Sequence, residues 1–180
     1  MTDRNTEHAP IEYTTRLERL IESTIDCPMC GSSNTFLVRH ALYDMPRFGP
    51  TILLSGKCSS CGYKFAWILP AEERGERILR REIRGPSDLN ALVLLGEGAD
   101  VVLPELETEI LATDLEPGFI TTVEGLLLRI LDRARAHCER GCEEAIEKLE
   151  RASRGEIPFT LIVIDKHGRS AIYELSDEPR

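Results

Sequence analysis

Residues 27–31 read Cys-Pro-Met-Cys-Gly and residues 58–63 read Cys-Ser-Ser-Cys-Gly-Tyr. Each is a knuckle. Two cysteines separated by two residues let both sulfurs and the intervening amides wrap one cation, and the glycine that follows lets the chain turn tightly beside it. Four soft thiolates select zinc over hard cations. A four-thiolate shell also leaves no position open for water, so the expected site is structural, with Cys27, Cys30, Cys58 and Cys61 holding one zinc ion. Redox dithiols or an iron–sulfur cluster are the competing readings of the same four residues.

Residues 31–57 lie between the knuckles, enough for two strands and a turn. Thr35 to Leu42 and Thr51 to Ser55 read as those strands, and YDMPRFGP, with two prolines and a glycine, reads as the turn. Together they predict a zinc ribbon over residues 26–70. Before it, residues 1–12 read as a polar tail and Tyr13 to Ser23 as a short helix with Leu17, Leu20 and Ile21 on one face.

Residues 71–176 are expected to form a β-domain. Glu76 to Arg84 alternates irregularly and could be strand or helix, with strand favoured; Ser87 to about Leu94 reads as a short capped helix and Ala99 to Leu103 as a strand. In Glu105 to Leu111, Leu106, Thr108 and Ile110 alternate with Glu105, Glu107 and Glu109, the pattern of a strand with one wet face. Thr121-Thr122-Val123-Glu124 fits a capping box with Thr121 as N-cap. The helix behind it carries Val123, Leu127, Ile130, Leu131, Ala134 and Cys138 at helical spacing, Gly141 breaks it, and a second helix follows. A helical hairpin over about residues 121–153 results. Phe159 to Asp165 and Ser170 to Leu175 read as closing strands.

The chain has 180 residues and a formal charge of −9. Such a balance repels nucleic acid and anionic membrane. No apolar run reaches the ~20 residues of a membrane span, and the polar N-terminus lacks a signal sequence, so a cytoplasmic protein is expected. From Gly85 to Leu128 there are nine acidic residues and no Lys, Arg or His. That run is either a solvated face or a surface for a basic partner, with Glu105, Glu107 and Glu109 as its candidate contacts.

Few other residues suggest chemistry. Cys138 and Cys142, beside His137, read as thiols in a reducing compartment. His40 and His167 have no partner that would make them catalytic. Arg39, Arg47, Phe48, Lys57 and Lys64 could form a basic, aromatic patch on the ribbon, so a nucleic-acid-binding ribbon protein linked to transcription or translation is the alternative function. No phosphate-cradling glycine loop or nucleophile elbow occurs in the sequence.

In order, CPMC, DMPRFGPTILLSGKCSSCGYK, RGPSDLNALVLLGEGADVVLPELE, GFITTVEGLLLRI and IDKHGRSAI resemble the ZPR zinc-finger protein family over about residues 26–175. The resemblance implies a zinc ribbon followed by a small jelly-roll-like (double-stranded β-helix) domain with a helical hairpin, hence an α+β, mostly β fold. It implies one module, as in archaeal relatives, where eukaryotic members carry two. It places the zinc ligands on Cys27, Cys30, Cys58 and Cys61 and carries over no catalytic residues. It also implies a protein partner, translation elongation factor 1-alpha, whose folding or assembly such a chaperone would assist.

Overall fold

A computed structural model describes residues 17–45, 48–115, 118–138 and 141–174, with side chains from residue 20 onward. The expected tail at residues 1–12 lies outside them, as do Pro46 and Arg47 of the ribbon turn.

The N-terminal half is a four-stranded antiparallel meander of β1 (Leu17–Ile25), β2 (Phe36–Met45), β3 (Gly49–Cys58) and β4 (Lys64–Pro70). The expected first helix is therefore wrong where the residues are described. Leu17–Ile25 pairs with β2, with Leu20 opposite Ala41 and Ile25 opposite Phe36. Ile21, Thr24 and Ile25 are β-branched, and the open edge of β2 offers every backbone group of the segment a partner that a short isolated helix could not match. β3 is longer at both ends than its predicted strand and β2 runs further toward the turn, so the hairpin extends from Phe36 opposite Cys58 to Met45 opposite Gly49.

Register assigns the faces of this sheet. Ile21, His40, Leu54 and Trp67 lie in one row, and Phe36, Cys58, Gly56 and Phe65 belong to the same face. Arg39 and Ser55, with Lys57 and Lys64, lie on the other. On the aromatic face Phe36 stacks against Tyr63 and Phe65, each at 5.8 Å between centroids, and Phe65 meets Trp67 at 4.4 Å. Gly56 lies beneath them. A Cβ there would fall 2.4 Å from the Phe65 ring and 2.5 Å from Phe36, so close ring approach needs glycine.

The C-terminal half is a two-sheet β-domain, with strand orders β5-β10-β7-β8 and β11-β6-β9. Its strands are β5 (Arg77–Ile83), β6 (Leu92–Leu95), β7 (Ala99–Leu103), β8 (Thr108–Ile110), β9 (Phe119–Thr122), β10 (Phe159–Asp165) and β11 (Ala171–Tyr173). Between the sheets lies the main core, in which Val93, Val101, Leu103, Leu106, Leu161 and Val163 are fully buried. Helices α1 (Val123–His137) and α2 (Glu143–Ser153) close it through Leu126, Leu127, Ile130 and Leu149. This is the expected jelly-roll-like domain with its helical hairpin.

Several local expectations change. The helix predicted from Ser87 shrinks to a single 3-10 turn at Asp88–Asn90, and Ser87 makes no capping bond. The Leu92–Leu95 run is drawn into the core as β6, because four consecutive apolar residues fit a strand buried on both faces. The N-cap of α1 is Thr122, whose hydroxyl accepts from Gly125 N at 3.0 Å; Thr121 lies within β9. Cys138 and Cys142 form a disulfide instead of free thiols. They stand just after α1 and just before α2, with Cα atoms 6.0 Å apart, inside the range a bridge can span.

The halves are joined by backbone. Ile68 N donates to Gly118 O at 2.8 Å, and Arg74 N donates to His167 O at 3.0 Å. Phe48 packs edge-on against Tyr173 at 4.9 Å, and Arg169 binds Glu73 at 2.8 Å. Gly118 has φ +53°, and a Cβ there would lie 2.3 Å from Ile68 O. Gly118→Ala is expected to destabilise the protein by about 1–3 kcal/mol in urea unfolding. The control Gly85→Ala, with open space around it, should stay within about 0.5 kcal/mol of wild type. Replacing both bridged cysteines by serine should lower stability by about 2 kcal/mol through the freed loop, read as a melting shift of roughly 4–8 °C without loss of zinc.

Candidate metal centre

Each knuckle is built by the same backbone device. Gly31 N donates to Cys27 O at 2.9 Å and Gly62 N to Cys58 O at 3.2 Å, closing two tight turns. Both glycines sit in the left-handed region, at φ 69° and 76°, where a side chain would be strained. Cys27 N donates to Ser32 O and Cys58 N to Tyr63 O, tying each turn to the chain beyond it. The β2–β3 hairpin then brings the first turn against the second, placing Phe36 opposite Cys58.

The four sulfurs of Cys27, Cys30, Cys58 and Cys61 lie within 4.8 Å of one another. Cys27 and Cys61 approach to 3.8 Å, and Cys30 and Cys58 to 3.9 Å. A tetrahedral zinc ion with bonds of about 2.3 Å spaces its sulfurs about 3.8 Å apart. The donor set and its spacing therefore fit one zinc ion. Cys27 and Cys58 are buried, while Cys30 and Cys61 stand toward solvent.

Around the sulfurs is a shell that the cysteine spacing did not announce. Cys58 Sγ accepts from Ser60 N at 3.3 Å and Cys61 N at 3.4 Å, and Thr35 Oγ1 lies 3.4 Å away. Met29 N donates to Cys27 Sγ at 3.4 Å. Ser32 Oγ and Ser60 Oγ lie 3.2 Å apart, linking the knuckles directly. The hydroxyl-rich stretches Ser32-Ser33-Asn34-Thr35 and Ser59-Ser60 were the signal for this shell. Hydrogen bonds of this kind favour the thiolate. The Thr35 hydroxyl first, then the Cys61 and Ser60 amides, pull Cys58 down to about 6. The Ser32 hydroxyl likewise lowers Cys30. At Cys61 the Tyr63 backbone hydrogen bond opposes, but burial and the neighbouring sulfurs prevail and push the thiol up to about 11. Four close sulfurs cannot all ionise without a cation among them, and zinc supplies that charge.

The other candidate residues are placed differently. The structure does not set Glu105, Glu107 and Glu109 along one strand. Pro104–Leu106 is a 3-10 turn, Leu106 is fully buried, and Glu107 turns the chain at φ 50° before β8 begins. Proline at the head of that turn and Leu106 in the core override the alternation. Glu105 is bound by Thr160, through both N and Oγ1 at 2.8 Å. Glu107 pairs with Lys148 at 2.8 Å, and Glu109 is exposed. Of the basic and aromatic residues on the ribbon, Phe48 leaves for the joint with Tyr173 and Arg47 lies outside the described residues. Arg39, Lys57 and Lys64 share one face. His40 lies on the opposite face, and His167 Nδ1 is 3.7 Å from Glu73.

A family model described as the ZPR1 jelly-roll domain matches residues 87–180. The chain belongs to the ZPR1 family. It is 31% identical to a ZPR1-like protein of Methanocaldococcus jannaschii, over 82% of this chain and 79% of that one. With a ZPR1-like protein of Pyrococcus horikoshii the identity is 28%, over 82% and 71% of the two chains. It is 31% identical to the zinc finger chaperone zpr1 of Schizosaccharomyces pombe, over 81% of this chain but only 33% of that protein. ZPR1 relatives are thus named as zinc finger proteins, and the zinc-fitting cluster agrees with that name.

Removing the Thr35 hydroxyl tests the shell. Metal binding competes with protons, so a lowered Cys58 carries zinc retention to lower pH. Thr35→Val should raise the Cys58 value and release zinc at higher pH than wild type. Affinity at neutral pH should weaken about tenfold. A colorimetric chelator followed from about pH 7 down to pH 4 measures both.

Proposed function

We propose that this chain is a non-enzymatic folding or assembly helper that binds translation elongation factor 1-alpha. The observation that carries the reading is the family membership, which extends across ribbon and β-domain alike and includes a relative named as a zinc finger chaperone. A metal centre with four thiolate donors and no remaining ligand position suits a rigid scaffold better than a reaction. The helical hairpin adds two amphipathic helices whose inner faces close the core and whose outer faces are largely polar, as expected of a surface that must remain soluble without its partner.

Charge supports the choice of partner. A factor that binds tRNA presents basic surfaces, and the exposed carboxylates of Glu97, Glu107, Glu109 and Glu124 stand on the acidic part of this chain. Such charges act mainly on encounter rate and orientation, and salt screens them. Glu105 enters the reading differently from the other two glutamates of its segment, because its carboxylate holds Thr160.

Zinc-loaded protein titrated with the elongation factor of its own source, in nucleotide-free, GDP and GTP forms, tests the reading. Binding at about 1 μM or tighter is expected in at least one form. It should weaken several-fold in Glu107→Lys/Glu109→Lys, more at low salt than at high. Absence of binding in all three forms would remove the elongation factor as partner.

A further inference from the structure

The face of the ribbon sheet opposite its aromatic ladder carries a groove of about 690 Å³ beside the metal centre. Its lining includes Thr24, Leu37, Arg39, Ser55, Lys57 and Lys64. Strand register puts Lys57 directly opposite Lys64. Like charges facing each other across an antiparallel pair destabilise it. The chain has 4 lysines among 31 acidic residues, so carboxylates to neutralise them are abundant. Yet neither Lys57 nor Lys64 has an ion-pair partner among the described residues, and both are exposed. Lys148, by contrast, is held by Glu107 and Glu144. Arg39 is half committed, at 2.6 Å from Glu22.

We propose that this groove binds an acidic polypeptide segment of another protein, its carboxylates meeting Lys57 and Lys64 over the apolar floor at Leu37. Two features favour an acidic peptide over nucleic acid. No aromatic side chain among the described residues lines the groove, so bases would find no stacking platform there. Phe36, Phe65 and Trp67 all lie on the other face. In addition, the chain's charge of −9 repels a long polyanion, whereas a peptide with a few carboxylates engages the two lysines locally. Hydroxyls of Thr24 and Ser55, also in the lining, supply neutral donors to the same carboxylates. This surface is separate from the acidic one assigned to the elongation factor, and the inference does not depend on that partner.

Fluorescence anisotropy of zinc-loaded protein with a labelled peptide of alternating glutamate and leucine tests the proposal. Lysine–leucine peptide, single-stranded RNA and duplex RNA serve as the other arms. The acidic peptide alone should bind, with affinity falling as salt rises and at least tenfold weaker in Lys57→Glu/Lys64→Glu of unchanged zinc content. No acidic-peptide binding, unchanged affinity in the variant, or preference for RNA would overturn it. Should the variant shed zinc, amide shifts in the wild-type protein decide. Peptide-induced shifts at Thr24, Leu37, Ser55, Lys57 and Lys64 support the groove, and shifts confined elsewhere refute it.

Discussion

Four sulfurs from two distant turns must meet within one tetrahedron, and the N-terminal half of this protein depends on that requirement. Apart from it, the ribbon's end has little to hold it. Among the described residues its buried cluster comprises Cys27, Phe36 and Cys58, packed by Val38, Tyr63 and Phe65. Two of those three buried residues are themselves ligands. So small a cluster contributes a few kcal/mol at most by burial, whereas structural zinc in a four-ligand site contributes on the order of 10 kcal/mol or more to folding. The ring stack over Gly56, the facing of the knuckles and the register of the β2–β3 hairpin all follow from the same closure.

The C-terminal half has the opposite economy of forces. Its core of leucine, isoleucine and valine is continuous from both sheets into the helical hairpin, and needs no metal. Backbone contacts at Gly118 and His167 set how that half meets the ribbon. Asp165 illustrates how tightly the joint is organised. It is fully buried, and its carboxylate accepts from the amides of His167, Gly168 and Ser170, which shapes the turn that Arg74 then meets. A buried carboxylate is tolerated because several amides share its charge.

Charge in this chain is less uniform than the acidic run suggests. Asp88 accepts from Arg84 N, Asp100 from Ala112 N, and Glu105 from Thr160, so three of its carboxylates fasten turns of the β-domain. Glu97, Glu107, Glu109 and Glu124 remain exposed. The ribbon carries the reverse arrangement, with Lys57 and Lys64 exposed on one face and without an ion-pair partner among the described residues. The two proposed surfaces have opposite sign, and each would select a partner of complementary charge.

The zinc site, the hairpin between its knuckles, β7, β10 and the helical pair were legible in the sequence, because each rests on local pattern: two residues between ligands, short apolar runs in strands, period 3.6 in helices; β5, whose residues alternate irregularly, was only favoured as strand over helix. Nothing local could show that Leu17–Ile25 pairs with β2, since a short apolar pattern suits helix or strand until an open edge decides it. Nor could it show that Leu106 turns inward and takes Glu105 to Thr160, or that the ends of α1 and α2 bring Cys138 to Cys142. Lys57 and Lys64 were visible as residues, but only strand register set them face to face. Sequence alone determined which groups the chain carries and at what local period. Tertiary structure decided which of them meet, because edges, core and register are satisfied by the whole chain at once.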